Sequence, residues 1–207
     1  MYKYPIIVFE GIEGSGKSLH IKNLEKYLKK KKINYLKLRE PGGSKNSEKI
    51  RNLILSKKSN FNKLTDLFLY LAARNENYHS VIRKNFKKKI ILIDRFTDST
   101  IAYQHYGMGI DRKIIELLNK LILKDIKPTF TFLNTVNMKN LKLRLNKRTN
   151  VNRYDKFKIN FYTKVQNGYL KISKNKKKYM IINSNNQINE NKKIIINKIN
   201  LLLSIWI

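Results

Sequence analysis

The chain has 207 residues, 45 of them Lys or Arg and 14 Asp or Glu, which makes a formal net charge of +31. A hydrophobic fraction of 42% with 11% aromatics is enough to bury a core, so a wholly disordered basic tail is excluded and a single domain spanning 1–207 is expected. The absence of cysteine excludes disulfides, thiol nucleophiles and thiolate metal sites.

A charge of this size attracts polyanions, nucleic acid or an anionic membrane among them. The composition weakens that reading, because Lys, Asn and Ile make up 90 residues, the pattern of a lysine-biased solvated surface. Only nine basic residues are Arg, whose planar fork suits phosphate in a defined geometry, so the arginines are the informative cations. No run approaches the ~20 apolar residues of a membrane span. The final stretch Leu201 to Ile207 reads as the end of an amphipathic helix docked on the core. A cytoplasmic setting with no membrane and no specific nucleic-acid partner is expected.

In chain order, five short apolar runs stand out: Ile6 to Phe9, Tyr35 to Leu38, Ile90 to Ile93, Thr129 to Leu133 and Tyr179 to Ile182. Runs without strict alternation suit strands covered on both faces. Helical patterns separate them at Leu19 to Tyr27, Leu64 to Ala73 and Ile114 to Leu123, which predicts a parallel α/β sheet. Two polar stretches break the pattern. Arg144 to Lys158 is basic and Asn-rich and holds Arg144, Arg148 and Arg153, and Asn183 to Asn191 follows the last strand, where turns line ligand crevices.

The first strand ends at Glu10 and runs into Gly11-Ile12-Glu13-Gly14-Ser15-Gly16-Lys17-Ser18, a full match to G-x-x-x-x-G-K-[ST] between a strand and a helix. Such a loop turns backbone N–H groups toward phosphate oxygens, with Lys17 on the β and γ oxygens of a nucleoside triphosphate and the Ser18 hydroxyl on Mg²⁺. Asp94, ending the third strand, is a second candidate for the magnesium shell, and the adjacent Arg95 suits a second phosphorylated substrate. His20, His79 and His105 show no metal-ligand spacing.

Further elements carry a resemblance. Arg39-Glu40-Pro41-Gly42-Gly43, Ala72-Ala73-Arg74, Asp94-Arg95-Phe96, Ser99-Thr100 and Tyr103-Gln104 together resemble thymidylate kinase, in order and spacing from about Ile6 to Asp155. The resemblance implies a P-loop nucleoside monophosphate kinase-like fold, a five-stranded parallel sheet flanked by helices with a short lid near 144–158. It also implies ATP-dependent phosphorylation of dTMP to dTDP, with Mg²⁺, in a homodimer. Carried over residue by residue, it puts Arg95 on the dTMP phosphate, Arg74 at the base edge, and Tyr70 on the thymine ring. Thr100 and Gln104 become polar contacts, with Ser99, Glu40 and Pro41 nearby, while Tyr103 crowds the sugar 2′ position and Glu13 reaches the 3′-hydroxyl or the metal shell. Members differ in whether a catalytic arginine stands in the phosphate loop or in the lid. Gly14 occupies that loop position here, so the charge is expected from Arg153 first, or from Arg148.

Two rivals stay open at this stage. A nucleoside kinase would need a base for a 5′-hydroxyl, whereas Arg95 anticipates an existing phosphate. A nucleic-acid-stimulated ATPase would use the +31 charge itself, but no basic stripe interleaved with aromatics is evident.

Overall fold

The computed structural model describes residues 4–86, 88–149 and 152–206. Residues 150 and 151 of the expected lid, and Ile207 at the end of the expected C-terminal helix, lie outside the described residues. The elements run β1 (Ile6–Glu10), α1 (Lys17–Lys30), β2 (Tyr35–Arg39), α2 (Lys45–Leu55), α3 (Lys63–Asn77), a wider helical turn Tyr78–Ile82, and α4 (Arg83–Asn85). They continue with β3 (Ile90–Asp94), α5 (Thr97–Thr100) leading into the helical segment Ile101–Gly107, α6 (Arg112–Leu123), β4 (Phe130–Thr135) and α7 (Met138–Asn146). A 3₁₀ turn Arg153–Lys156, α8 (Ile159–Ser173), β5 (Tyr179–Asn183) and α9 (Ile188–Trp206) complete the chain. All five predicted strands form, within two residues of the expected ends.

The five strands are parallel in the order β2-β3-β1-β4-β5. Chain connections leave β1 toward β2 and leave β3 toward β4, in opposite directions, so a crevice opens at the carboxyl ends of β1 and β3. Register aligns those ends, with Phe9 beside Asp94 and Asp94 beside Arg39.

Alternation along β1 feeds both faces of the sheet. Ile7 and Phe9 pack with Ile21, Leu24, Ile195 and Ile199 of α1 and α9, while Ile6 and Val8 pack with Tyr78, Ile82, Leu123 and Ile126. The central strands are covered on both faces as expected, but β2 and β5 are not. Each is an edge strand with half-exposed positions, Ile181 at 54% among them, because nothing pairs beyond them.

Helix starts follow local chemistry. Ser44, Asn62, Asp111 and Asn137 each accept a backbone N–H at the N-terminus of α2, α3, α6 and α7. Helix α1 instead begins at Gly16, with φ 85°, and no side chain caps it, which leaves its first N–H groups to a ligand. α2 and the helical run 97–107 lie outside the pattern predicted from sequence. α2 is strongly polar and is held by its Ser44 cap and its packing on α3 rather than by a clear apolar stripe.

Candidate active site

A cavity of about 630 Å³ opens at the carboxyl ends of the strands. Six of the nine arginines line it: Arg39, Arg51, Arg74, Arg95, Arg144 and Arg148. Among the described residues Lys17 is the one lysine on its wall, so the cations that shape the site are separate from the lysines that dominate the charge.

The phosphate loop forms one end. Gly11 adopts φ 137°, and a Cβ there would lie 2.2 Å from the Asn134 carbonyl, so only glycine fits. The Lys17 ammonium donates to the Gly11 and Ile12 carbonyls, each at 2.9 Å, and lies 3.5 Å from Ser15 Oγ. Burial, then the like charge of Arg95, lowers the Lys17 pKa to about 8. Ile12 and Ser15 are themselves fully buried behind the loop. Ser18 Oγ donates to Asp94 Oδ2 at 3.3 Å, while Asp94 Oδ1 is buried without a hydrogen-bond partner. A hydroxyl beside an orphaned carboxylate oxygen is a hard-oxygen donor pair that fits Mg²⁺.

Arg95 forms the next subsite. Its backbone has φ 67°, and its guanidinium donates to the Gly11 carbonyl at 2.8 Å and to Glu13 Oε1 at 2.9 Å. It lies 5.2 Å from the Tyr103 ring centroid, and the Tyr103 hydroxyl donates to Glu13 Oε2. Burial opposes ionisation of Glu13, but Arg95, Lys17 and the Tyr103 hydroxyl prevail and hold its carboxyl below the usual range. Glu10 stands behind this group, buried, with its pKa raised to about 7 by burial and by Asp98. It accepts from the Phe96 and Ser99 N–H groups and from Ser99 Oγ at 2.6 Å.

Arg74 sits deeper. Its guanidinium donates to Glu40 Oε2 at 2.7 Å, Thr100 Oγ1 at 2.9 Å, Asn119 Oδ1 at 2.6 Å and the Phe96 carbonyl at 2.9 Å. Four of its five N–H groups are therefore committed within the protein. Glu40, Pro41, Tyr70, Ser99, Thr100, Tyr103 and Gln104 all line the same cavity. Gln104 is 1% exposed, and its Nε2 has no hydrogen-bond partner among the described residues. The hydroxyls of Ser99 and Thr100 are already engaged, by Glu10 and Arg74.

The two arginines expected to act from a lid divide. Arg148 lines the cavity and pairs with Asp155. Arg153, the arginine expected first at the phosphates, does not line it. It pairs with Asp66 of α3 and lies 5.0 Å from the Tyr154 ring centroid and 5.6 Å from that of Phe61. The buried Asp66 carboxylate, which also accepts from the Tyr154 hydroxyl at 2.7 Å, supplies the opposite charge that draws Arg153 away from the phosphate loop.

Sequence reading named Arg144 in the polar stretch but gave it no role; it donates to the Gly14 carbonyl at 2.8 Å and the Ser184 carbonyl at 2.7 Å and so ties α7 to the phosphate loop. Sequence reading missed Arg51, which donates to the Pro41 carbonyl at 2.7 Å. The scarcity of arginine in a lysine-rich chain was the available signal for both.

Known proteins resemble this chain in sequence and fold. A family model described as thymidylate kinase matches residues 9–195. The thymidylate kinase of Sulfurihydrogenibium sp. (strain YO3AOP1) is 39% identical over 196 residues, 93% of this chain and 95% of that protein. That of Ehrlichia ruminantium (strain Gardel) is 40% identical over 203 residues, 95% of this chain and 98% of that protein. A crystal structure of thymidylate kinase from Ehrlichia chaffeensis superposes with a TM-score of 0.77 at 34% identity, covering 95% of this chain and 98% of that one. With the family model spanning residues 9–195 and with such identity over nearly the whole length, the chain belongs to the thymidylate kinase family.

Proposed function

We propose that the chain transfers the γ-phosphoryl group of ATP to dTMP, giving dTDP, in the cavity shared by the phosphate loop and Arg95. The observation that carries this reading is one cavity lined by two separate cationic groups suited to phosphate. Lys17 and the open N-terminus of α1 suit ATP, and Arg95, braced by Glu13 and Gly11, suits a monophosphate. The attacking atom is an oxygen of the dTMP phosphate, largely ionised at pH 7, so no general base is required. The protein's task is to bring two polyanions together and to stabilise charge on the transferring group. Lys17, Arg95 and Arg148 supply that charge, Arg148 from a lid spanning about 144–158. Ser18 and Asp94 would hold Mg²⁺, which supplies further neutralisation of the ATP phosphates when bound.

Tyr70 and Tyr103 frame the nucleoside, and Gln104 offers its unpaired amide to a thymine carbonyl, beside the one N–H that Arg74 keeps free. Glu40 acts through Arg74, and Glu13 faces the sugar. Arg144 and Ser184 line the cavity beside the phosphate loop, and with Asn186 they are assigned to the adenine side. A homodimer is part of the same reading. Leu53 of α2, Phe68 of α3, and Leu117 and Leu121 of α6 are 48%, 52%, 67% and 72% exposed on neighbouring helices, an apolar face that suits a second copy of the chain. No helix among the described residues is long and apolar enough to cross a membrane. The reaction is proposed to take place in the cytoplasm.

A coupled assay of ADP release with dTMP, dUMP, dGMP and thymidine tests the central claim. Acceleration by dTMP above the others is expected, and no acceleration by dTMP would sink it.

A further inference from the structure

Arg95 is held in a conformation that a residue with a Cβ adopts at a cost, at φ 67°. Such a backbone persists only where its surroundings over-determine it. The restraint comes from two residues that do not line the cavity. Glu10, the last residue of β1, accepts the Phe96 N–H at 2.8 Å and the Ser99 N–H at 3.2 Å on one carboxylate oxygen, which pins the chain directly after Arg95. Its other oxygen accepts Ser99 Oγ at 2.6 Å and the Tyr169 hydroxyl at 3.1 Å. Tyr169, on α8, lies 2.6 Å from Ser99 Oγ and accepts from Arg95 Nη1 at 3.3 Å. Glu10 thus holds the root of Arg95 through the main chain and its tip through Tyr169. Glu10, Phe96 and Tyr169 are buried and Ser99 and Arg95 partly so, where a missing hydrogen bond is costly.

We propose that Glu10 and Tyr169 are positioning residues for the acceptor phosphate: they set the Arg95 guanidinium at the angle that receives the phosphate of the monophosphate substrate, without touching substrate themselves. This rests on the reading of Arg95 as the phosphate-binding group. It makes a phosphate-specific demand that a merely structural role does not, since thymidine, which lacks the phosphate, has no use for Arg95.

The test is calorimetric affinity for dTMP and for thymidine, measured on wild type and on Glu10→Ala, Glu10→Gln, Tyr169→Phe and Arg95→Ala. Glu10→Ala is expected to weaken dTMP binding by on the order of 10-fold while leaving thymidine binding unchanged. Glu10→Gln keeps an acceptor oxygen for the two N–H groups, and its amide can donate to both hydroxyls, so most of the dTMP affinity should return. Tyr169→Phe should show a smaller loss, again confined to dTMP. Equal weakening of dTMP and thymidine, or no weakening, overturns the proposal. Should Glu10→Ala fail to fold, Tyr169→Phe decides alone, because it removes a single hydroxyl. Arg95→Ala separates the two levels. If it costs dTMP no more than thymidine, the phosphate reading of Arg95 falls and the proposal with it; if its loss is phosphate-specific but those of Glu10→Ala and Tyr169→Phe are not, only the positioning role falls.

Discussion

Replacing Arg148 and Arg153 separately by Ala should split turnover from stability. Arg148 faces the cavity, its side chain is 36% exposed, and its partner Asp155 keeps a second bond from the Asn152 N–H at 2.8 Å. Its loss should cost about 1 kcal/mol of stability, because Arg148 itself is solvated although Asp155 is only 7% exposed, and so ~2–4 °C in Tm for a domain of this size. If its contact strengthens in the transition state, kcat should fall by on the order of 10³-fold, following the arginine-finger precedent. Arg153 is the reverse case. It is 14% exposed and its partner Asp66 only 3%, so Arg153→Ala strands a buried carboxylate. Breaking such a pair costs roughly 3–5 kcal/mol, and the low end applies because the Tyr154 hydroxyl still donates to Asp66. About 3 kcal/mol corresponds to a Tm drop of roughly 6–12 °C. The assay is ADP release at saturating ATP and dTMP at a temperature where both variants are folded, paired with thermal melts followed by circular dichroism. A 10³-fold loss of kcat in Arg153→Ala with an unchanged Tm, or wild-type kcat in Arg148→Ala, would refute this division of roles.

Three other outcomes follow from the same geometry. Only the ammonium form of Lys17 pairs with a phosphate, and its pKa is lowered to about 8, so ATP affinity titrated against pH should fall as pH rises through about 8, and Lys17→Ala should lose that limb along with turnover. The sign for stability is opposite: between about 8 and the ordinary 10.5 the unfolded chain holds a proton that the folded one has released, so this group makes folding more favourable as pH rises across that window. Asp94→Asn should raise the magnesium concentration for half-maximal rate by on the order of 10-fold, read from rate against added MgCl₂, and an unchanged requirement would remove Asp94 from the metal shell. Changing Lys29, Lys30, Lys31 and Lys32 together to Gln should leave kcat at saturation unaltered while flattening its salt dependence, since none of the four lines the cavity; a large fall in kcat would give the bulk charge a catalytic role.

The candidate site at the strand ends was legible in the chain because its placement depends on short-range constraints. The phosphate loop must be contiguous, since its glycines and Lys17 act through backbone conformation, and Asp94-Arg95 is positioned by the strand that ends there. The central strands could be read for the same reason: continuous apolar runs are required where both sheet faces are covered, whereas β2 and β5 carry the same kind of run at the edges and only pairing order distinguishes them. The helices at 45–55 and 97–107 gave little sign of themselves, being stabilised by a Ser44 cap and by the buried Glu10 carboxylate from another strand. What the sequence by itself determined was a parallel α/β sheet with a nucleotide phosphate site at the end of β1, and a short set of arginines worth attention. Tertiary structure alone decided which of those arginines serve the cavity. Arg148 and Arg153 lie five residues apart in one polar run, and their fates differ because α3 brings a buried aspartate, Asp66, within reach of only the second. In a low-dielectric setting a charge goes where its opposite is buried, and that partner lies 87 residues away along the chain.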